Sequence, residues 1–271
     1  MTLISMGSGM ISVAEQGSGE NAILFVHGNS SCKEAFARLW ACPELQGFRC
    51  VAFDLPGHGD SSDAQDAEAT YTIPGYAEAA QHVIVSLGLT KPLVVGWSLG
   101  GHTAIELALS GTDLAGVLIT GAPPVGPGPS LLAGGFTPFT FEQSTGDENA
   151  SEEALLEYAG HMYGLPSEVT EQFVSALLRT AGRARSRMTE HWLAHEGPDH
   201  LEFAKSGALP FAIAHADKDP FVDPVFLDGL ASPRLWGGKI HHFPQSGHAP
   251  FLDQPMEFAR LLKRFADDTV V

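Results

Sequence analysis

The chain is poor in cysteine. Its 271 residues hold three, Cys32, Cys42 and Cys50, an odd number with no metal-binding spacing. This argues against a disulfide framework and suits a reducing compartment. Basic residues are scarce too: 15 Lys and Arg stand against 32 Asp and Glu, a formal net charge of -17. That balance disfavours nucleic acid and anionic membrane surfaces, and suggests a neutral or cationic substrate. No apolar run approaches the ~20 residues of a membrane helix. The opening residues, Met1 to Gly7, lack the positive and apolar regions of a signal peptide, so a cytoplasmic location is expected.

Several motifs are missing. There is no dinucleotide fingerprint. The glycine-rich run Gly96-Trp97-Ser98-Leu99-Gly100-Gly101 lacks the lysine of a phosphate loop. No His-x-His-x-Asp-His cluster exists for a dinuclear metal centre. His191 and His195 stand at i, i+4 on an expected helix, a spacing that could hold zinc, but no third ligand lies near them. No metal and no cofactor are expected.

What is present is a regular alternation. The 44% hydrophobic content suffices for one large α/β domain or one domain with an insertion. Ile11–Glu15, Ala22–His27, Arg49–Asp54, Pro92–Trp97 and Leu114–Thr120 read as strands, most of them continuously apolar as in a parallel sheet. Lys33–Leu45, Ala77–Leu87 and His102–Ser110 read as helices. After Thr120 the alternation stops at a breaker cluster, Gly121 to Pro129. Helices are expected at Ser151–Tyr163, Pro166–Arg179 and Arg183–His195. Strands resume at Pro210–His215 and Lys239–Phe243, with helices at Asp223–Leu230 and Pro255–Phe265. The expected organisation is a core of residues 1–120 and 207–271, interrupted by a helical lid over 121–206. Such a lid sits above the carboxyl ends of the strands, where open α/β sheets bind ligands.

Gly96-Trp97-Ser98-Leu99-Gly100 has the form of a nucleophile elbow, a strand, a sharp turn carrying serine, then a helix. A serine needs a base, and the base needs an acid to fix its tautomer. In this arrangement the chain order is serine, acid, histidine. His248 follows the last strand behind Gly247 and is the expected base. Two acids follow the strand before it: Asp219, stiffened by Pro220, is the expected partner, and Asp217 the alternative. His58, His241 and His242 are expected to be structural. Two preorganised N–H groups must hold the oxyanion. They are expected from the backbone of Leu99 and from Asn29, on the loop after Ala22–His27.

These motifs, with His27-Gly28 and Asp54-Leu55-Pro56-Gly57-His58-Gly59-Asp60-Ser61, resemble the α/β-hydrolase family over nearly the whole chain. The resemblance implies the α/β-hydrolase fold, a mostly parallel central sheet flanked by helices. A narrower likeness runs through His27-Gly28-Asn29-Ser30-Ser31, Gly96 to His102, Ile119 to Val125, Gly182-Arg183-Ala184-Arg185, Asp219-Pro220-Phe221-Val222 and Gly247 to Phe251. It resembles the AidH-type N-acyl-homoserine lactonases, metal-independent quorum-quenching hydrolases. It implies Ser98 as nucleophile, His248 as base and an acid at position 219, where the family has Glu. Asp219 is shorter by a methylene, so its loop must sit closer to His248. The resemblance further implies Tyr158, Trp97 and Phe221 as substrate contacts. Acyl-chain preference does not transfer, because Leu131, Leu132, Phe136, Phe139 and Phe141 differ from the family pattern. A small neutral amphiphile is the expected substrate. A carboxylesterase, a carbon–carbon bond hydrolase and a ligand receptor on the same scaffold are the competing readings.

Overall fold

A computed structural model describes residues 2–7, 9–126, 134–137, 146–163, 171–194 and 198–270. Eight strands form one sheet: β1 (Thr2–Met6), β2 (Gly9–Gln16), β3 (Ala22–Val26), β4 (Arg49–Phe53), β5 (Leu93–Trp97), β6 (Gly116–Thr120), β7 (Phe211–Ala216) and β8 (His241–Phe243). Their order is β1-β2-β4-β3-β5-β6-β7-β8. β1 and β2 pair antiparallel, as do β2 and β4; every pair from β4 to β8 is parallel.

The central strands explain the apolar runs. All five residues of β3, β5 and β6 are buried, because helices cover both faces of a parallel sheet. β2 alternates less cleanly and β1 is mostly exposed. β1 was not expected from the sequence. Its five residues carry no continuous apolar run, and it forms by pairing back on β2.

The main helices are α1 (Ile73–Ser86), α2 (Leu99–Leu109), α3 (Glu152–Tyr163), α4 (Glu171–Arg179), α5 (Gly182–Leu193), α6 (His200–Ser206) and α7 (Pro255–Thr269). Their starts follow capping chemistry. The Thr72 hydroxyl accepts from Gly75 N–H at 3.0 Å, and the Asp199 carboxylate from Glu202 N–H at 2.9 Å. Pro255 opens α7, where its missing N–H costs nothing. The expected helix Lys33–Leu45 is broken instead into three short turns, Lys33–Phe36, Ala37–Trp40 and Pro43–Leu45. Pro43 cannot continue a helix. The segment 127–133, His195, Phe139, Phe141 and the first residues of the expected helix Pro166–Arg179 lie outside the described residues.

Chain order reverses at β3. The chain leaves it for β4 on one side and later returns to β5 on the other. At such a switch point the loops after the two strands diverge and leave a crevice. Asn29 follows β3 and Ser98 follows β5, so both stand at that crevice. Asp219 and His248 follow β7 and β8 at the same end.

Candidate active site

Ser98 caps α2 with φ 55° and ψ -121°, a left-handed conformation that strains any residue with a side chain. The end of β6 and the first turn of α2 hold it there. Its N–H donates to the Thr120 carbonyl at 2.9 Å, and its carbonyl accepts from Gly101 N–H at 2.8 Å. The flanking glycines are steric necessities. A Cβ on Gly96 would collide with the Gly100 carbonyl, and one on Gly100 with the Val26 carbonyl.

His248 Nδ1 stands 2.8 Å from Asp219 Oδ2, and both side chains are buried. The other Asp219 oxygen accepts from Phe221 N–H at 2.9 Å. One oxygen is thus fixed by backbone and the other aimed at the imidazole. The shorter side chain of Asp219 reaches its partner, as the sequence required. Asp217 points elsewhere: its Oδ1 lies 2.7 Å from Nδ1 of the half-exposed His242, whose Nε2 lies 3.1 Å from Asp228.

A small cavity of about 50 Å³ brings Ser98, His248, Asn29, Leu99, Tyr158 and Phe221 together. Leu99 opens α2, so its N–H is one of the first-turn amides without an intrahelical partner. Burial pushes the Tyr158 phenol up, with a smaller opposing effect from Arg185, so the hydroxyl keeps its proton. Its ring lies 5.8 Å from that of Phe221, which meets His248 edge-on at 4.7 Å. Phe136, Met188 and Trp192, from the segment between β6 and β7, give the cavity an apolar wall.

Trp97 departs from the expectation of a substrate contact. It is fully buried and does not line the cavity. Side chains alternate faces along a strand, so the residue before Ser98 turns away from it. Its indole N–H donates instead to the His248 carbonyl at 2.9 Å.

The loop carrying Asn29 is braced from two sides. His27 Nδ1 lies 2.7 Å from the Gly28 carbonyl, and Leu55 N–H donates to His27 Nε2 at 3.0 Å. These contacts require a neutral ring protonated on Nδ1. Burial lowers His27 to about 4, and lowers the adjacent His58 to about 3. From the other side, the Tyr163 hydroxyl at the end of α3 donates to Ser31 Oγ at 2.7 Å. His58 Nδ1 rests 3.1 Å from the Pro56 carbonyl, the structural place expected for it.

A second histidine pair went unrecognised in the sequence. His102, one turn along α2 from Ser98, also lines the cavity. Its Nδ1 lies 3.3 Å from Nδ1 of His200 on α6, whose Nε2 lies 3.4 Å from Glu106 Oε2. No local pattern links residues separated by about 100 positions. His191, on α5, is buried. Among the described residues no three His, Cys, Asp or Glu side chains stand close enough to hold a metal ion. A wider groove of about 920 Å³ between β8 and α7 contains none of the site residues.

A model of the alpha/beta hydrolase family matches residues 23–261. The solved structure of the N-acyl homoserine lactonase AidH complexed with N-butanoyl homoserine superposes with a TM-score of 0.92 at 34% identity, covering 99% of this chain and 97% of that one. The sn-1-specific diacylglycerol lipase ABHD11 of Mus musculus is 33% identical over 264 residues, 90% of this chain and 80% of that one. The pimeloyl-[acyl-carrier protein] methyl ester esterase of Aeromonas hydrophila is 24% identical over 236 residues, 80% and 85% of the two chains. With an elbow serine after β5, a carboxylate after β7, a histidine after β8 and a family match across most of its length, this chain belongs to the alpha/beta hydrolase family.

Proposed function

We propose that the protein is a serine hydrolase that opens the lactone ring of N-acyl-homoserine lactones. The observation that carries this reading is the likeness to a lactonase along 99% of this chain. So long a match includes the segment between β6 and β7, which supplies Tyr158 and the apolar wall. In this reading residues 121–206 form a cap and select the substrate.

The mechanism follows from the placement of the groups. His248 removes the proton of Ser98, and the serine oxygen attacks the ring carbonyl. The N–H groups of Leu99 and Asn29 receive the negative charge that develops on the carbonyl oxygen. Asp219 holds His248 in the tautomer protonated on Nδ1, and stabilises the imidazolium that forms. His248 then protonates the ring oxygen as the carbon–oxygen bond breaks, leaving an acyl-enzyme. The new hydroxyl stays tethered to the acyl group and can close the ring again. A water activated by His248 must therefore reach the ester before recyclisation. Tyr158, protonated and facing the cavity, donates a hydrogen bond to the lactone. The apolar wall receives the acyl chain. Three buried free thiols suit a cytosolic setting for this chemistry.

A carboxylesterase using the same residues is the second reading, favoured by the esterase and lipase relatives. Mass spectrometry of N-hexanoyl homoserine lactone and an aryl ester, each with wild type and Ser98→Ala, separates the two. Serine-dependent gain of one water by the lactone, above the spontaneous rate, supports the lactonase. Turnover of the ester alone rejects it.

A further inference from the structure

The proposed reaction makes no use of the groove of about 920 Å³ between β8 and α7. β8 ends the sheet: among the described residues only β7 pairs with it. The outer edge of a terminal strand offers N–H and C=O groups to an extended chain. Residues 239–244 line one side of the groove, so the whole of β8 borders it. The facing wall is α7, which lines it from Glu257 to Arg264. At 1.5 Å per residue that wall is about 10 Å long. A strand rises about 3.3 Å per residue, so about three extended residues span it. Ile240, Phe243 and Leu261, all buried, give the groove apolar surface.

The charge here departs from that of the chain. Four of the 15 Lys and Arg border the groove, Lys239, Arg260, Lys263 and Arg264, against two acids, Glu44 and Glu257. Both acids face Arg260, at 3.3 and 3.9 Å, and Lys263 pairs with Asp267 at 2.7 Å. Among the described residues no acid pairs with Lys239 or Arg264. One comes from the approach to β8 and the other from α7, and both charges bear on His241 between them. The groove thus keeps two uncompensated cations, on opposite walls, in a protein of formal net charge -17.

We propose that this groove is a docking surface for an extended segment of a partner protein rich in aspartate and glutamate, about three residues of it lying beside β8. The acids meet Lys239 and Arg264, and the side chains between them cover the apolar surface. A free phosphate or other small anion has no use for that surface. A membrane of anionic lipid is recognised by clusters of about four to eight cations, more than are uncompensated here. The acidic remainder of the chain repels such a partner, but at about 0.15 M salt its field decays over about 8 Å. Attraction inside the groove outlasts that repulsion because it acts at contact.

The test uses the full chain and a fluorescein-labelled hexapeptide of alternating glutamate and valine, read by fluorescence anisotropy. The control peptide replaces each glutamate with glutamine. The acidic peptide is expected to bind more tightly than the control by on the order of tenfold, and to weaken as salt is raised. The double variant Lys239→Glu, Arg264→Glu is expected to lose at least that factor, because attraction becomes like-charge repulsion. Its turnover of an aryl ester should stay within about twofold of wild type, since the groove holds none of the site residues. If that variant fails to fold, Lys239→Gln with Arg264→Gln takes its place and is expected to bind the two peptides alike. No binding of the acidic peptide, equal binding of both peptides by wild type, or binding untouched by the double variant overturns the proposal. So does displacement of the peptide by phosphatidylserine vesicles or by inorganic phosphate at equal charge, which would name a lipid surface or a free anion as the occupant. Dimerisation of the free protein that excludes the peptide, seen by sedimentation, would name a second copy of the chain and overturn it as well.

Discussion

The Trp97 indole N–H donates to the His248 carbonyl across 2.9 Å. The residue before the elbow serine thus anchors the loop that carries the histidine. Trp97→Phe keeps a ring in the core and leaves that carbonyl without its donor. An unpaired buried acceptor costs about 1–3 kcal/mol. We expect a lower melting temperature and a several-fold fall in kcat, with KM little changed. A rise in KM alone, in steady-state kinetics on an aryl ester, would restore Trp97 as a substrate contact.

The two acids after β7 differ in what they touch, Asp219 the buried His248 and Asp217 the half-exposed His242. Asp219→Asn replaces an acceptor with a group that can donate to Nδ1 and so favours the unproductive tautomer. A loss of about 10³–10⁴ in kcat is expected. Asp217→Asn is expected to change kcat less than twofold. Equal losses in the two variants would contradict the assignment.

Gly121 has φ 63°, and a Cβ there would lie 2.6 Å from His248 Cε1. Gly121→Ala is therefore strained twice, in its backbone and against the imidazole. We expect the protein to fold with reduced stability and to lose most of its turnover. An active-site serine probe should still label it, slowly. Wild-type kcat in Gly121→Ala would show that the His248 ring has room to move.

Acid should unfold the protein through its buried histidines. His27 falls from 6.5 to about 4 on folding, and His58 to about 3. Between those values and 6.5 the unfolded chain binds protons that the native protein excludes. Stability is complete above pH 6.5 and declines as pH falls toward 4. His27 alone accounts for on the order of 3 kcal/mol. Urea unfolding from pH 7.5 to 4.5 measures this, and His58→Gln should flatten the slope. An unchanged slope in that variant would remove His58 from the explanation.

Lys33 binds Asp54 at 2.7 Å, and Asp60 and Glu34 at 2.9 Å. Burial alone would lower its ammonium, but hydrogen bonds to these carboxylates outweigh that and push it up. Asp54 also accepts the backbone N–H groups of Lys33 and Asp60. Lys33→Met would leave the fully buried Asp54 without its counter-ion, at a cost of about 3–5 kcal/mol. Denaturant titration checks this. A loss below about 1 kcal/mol would mean that the backbone donors alone satisfy Asp54.

The sequence was informative where a local pattern has one physical solution. The apolar runs before His27, Trp97 and Gly121 had to be buried strands, and the elbow glycines had to be glycine. Local pattern is silent where a distant partner decides. β1 forms through its pairing with β2. The turn between Lys33 and Leu45 bends to bring Lys33 to Asp54 and Asp60. The resemblance implies Trp97 as a substrate contact, whereas strand alternation turns it toward the His248 loop. His102 meets His200 through the packing of α6 on α2, a contact that spacing in the chain does not encode.

The hydrogen bond from Tyr163 to Ser31 makes the molecule less modular than its chain order suggests. Exchanging the segment between β6 and β7 for one from a relative is an obvious route to a new substrate. The exchange would also remove the tyrosine that steadies the loop of Asn29. Grafts that omit a tyrosine at the end of α3 should therefore lose rate before they gain selectivity. Inherited segments in such proteins must change in concert with the loop after β3.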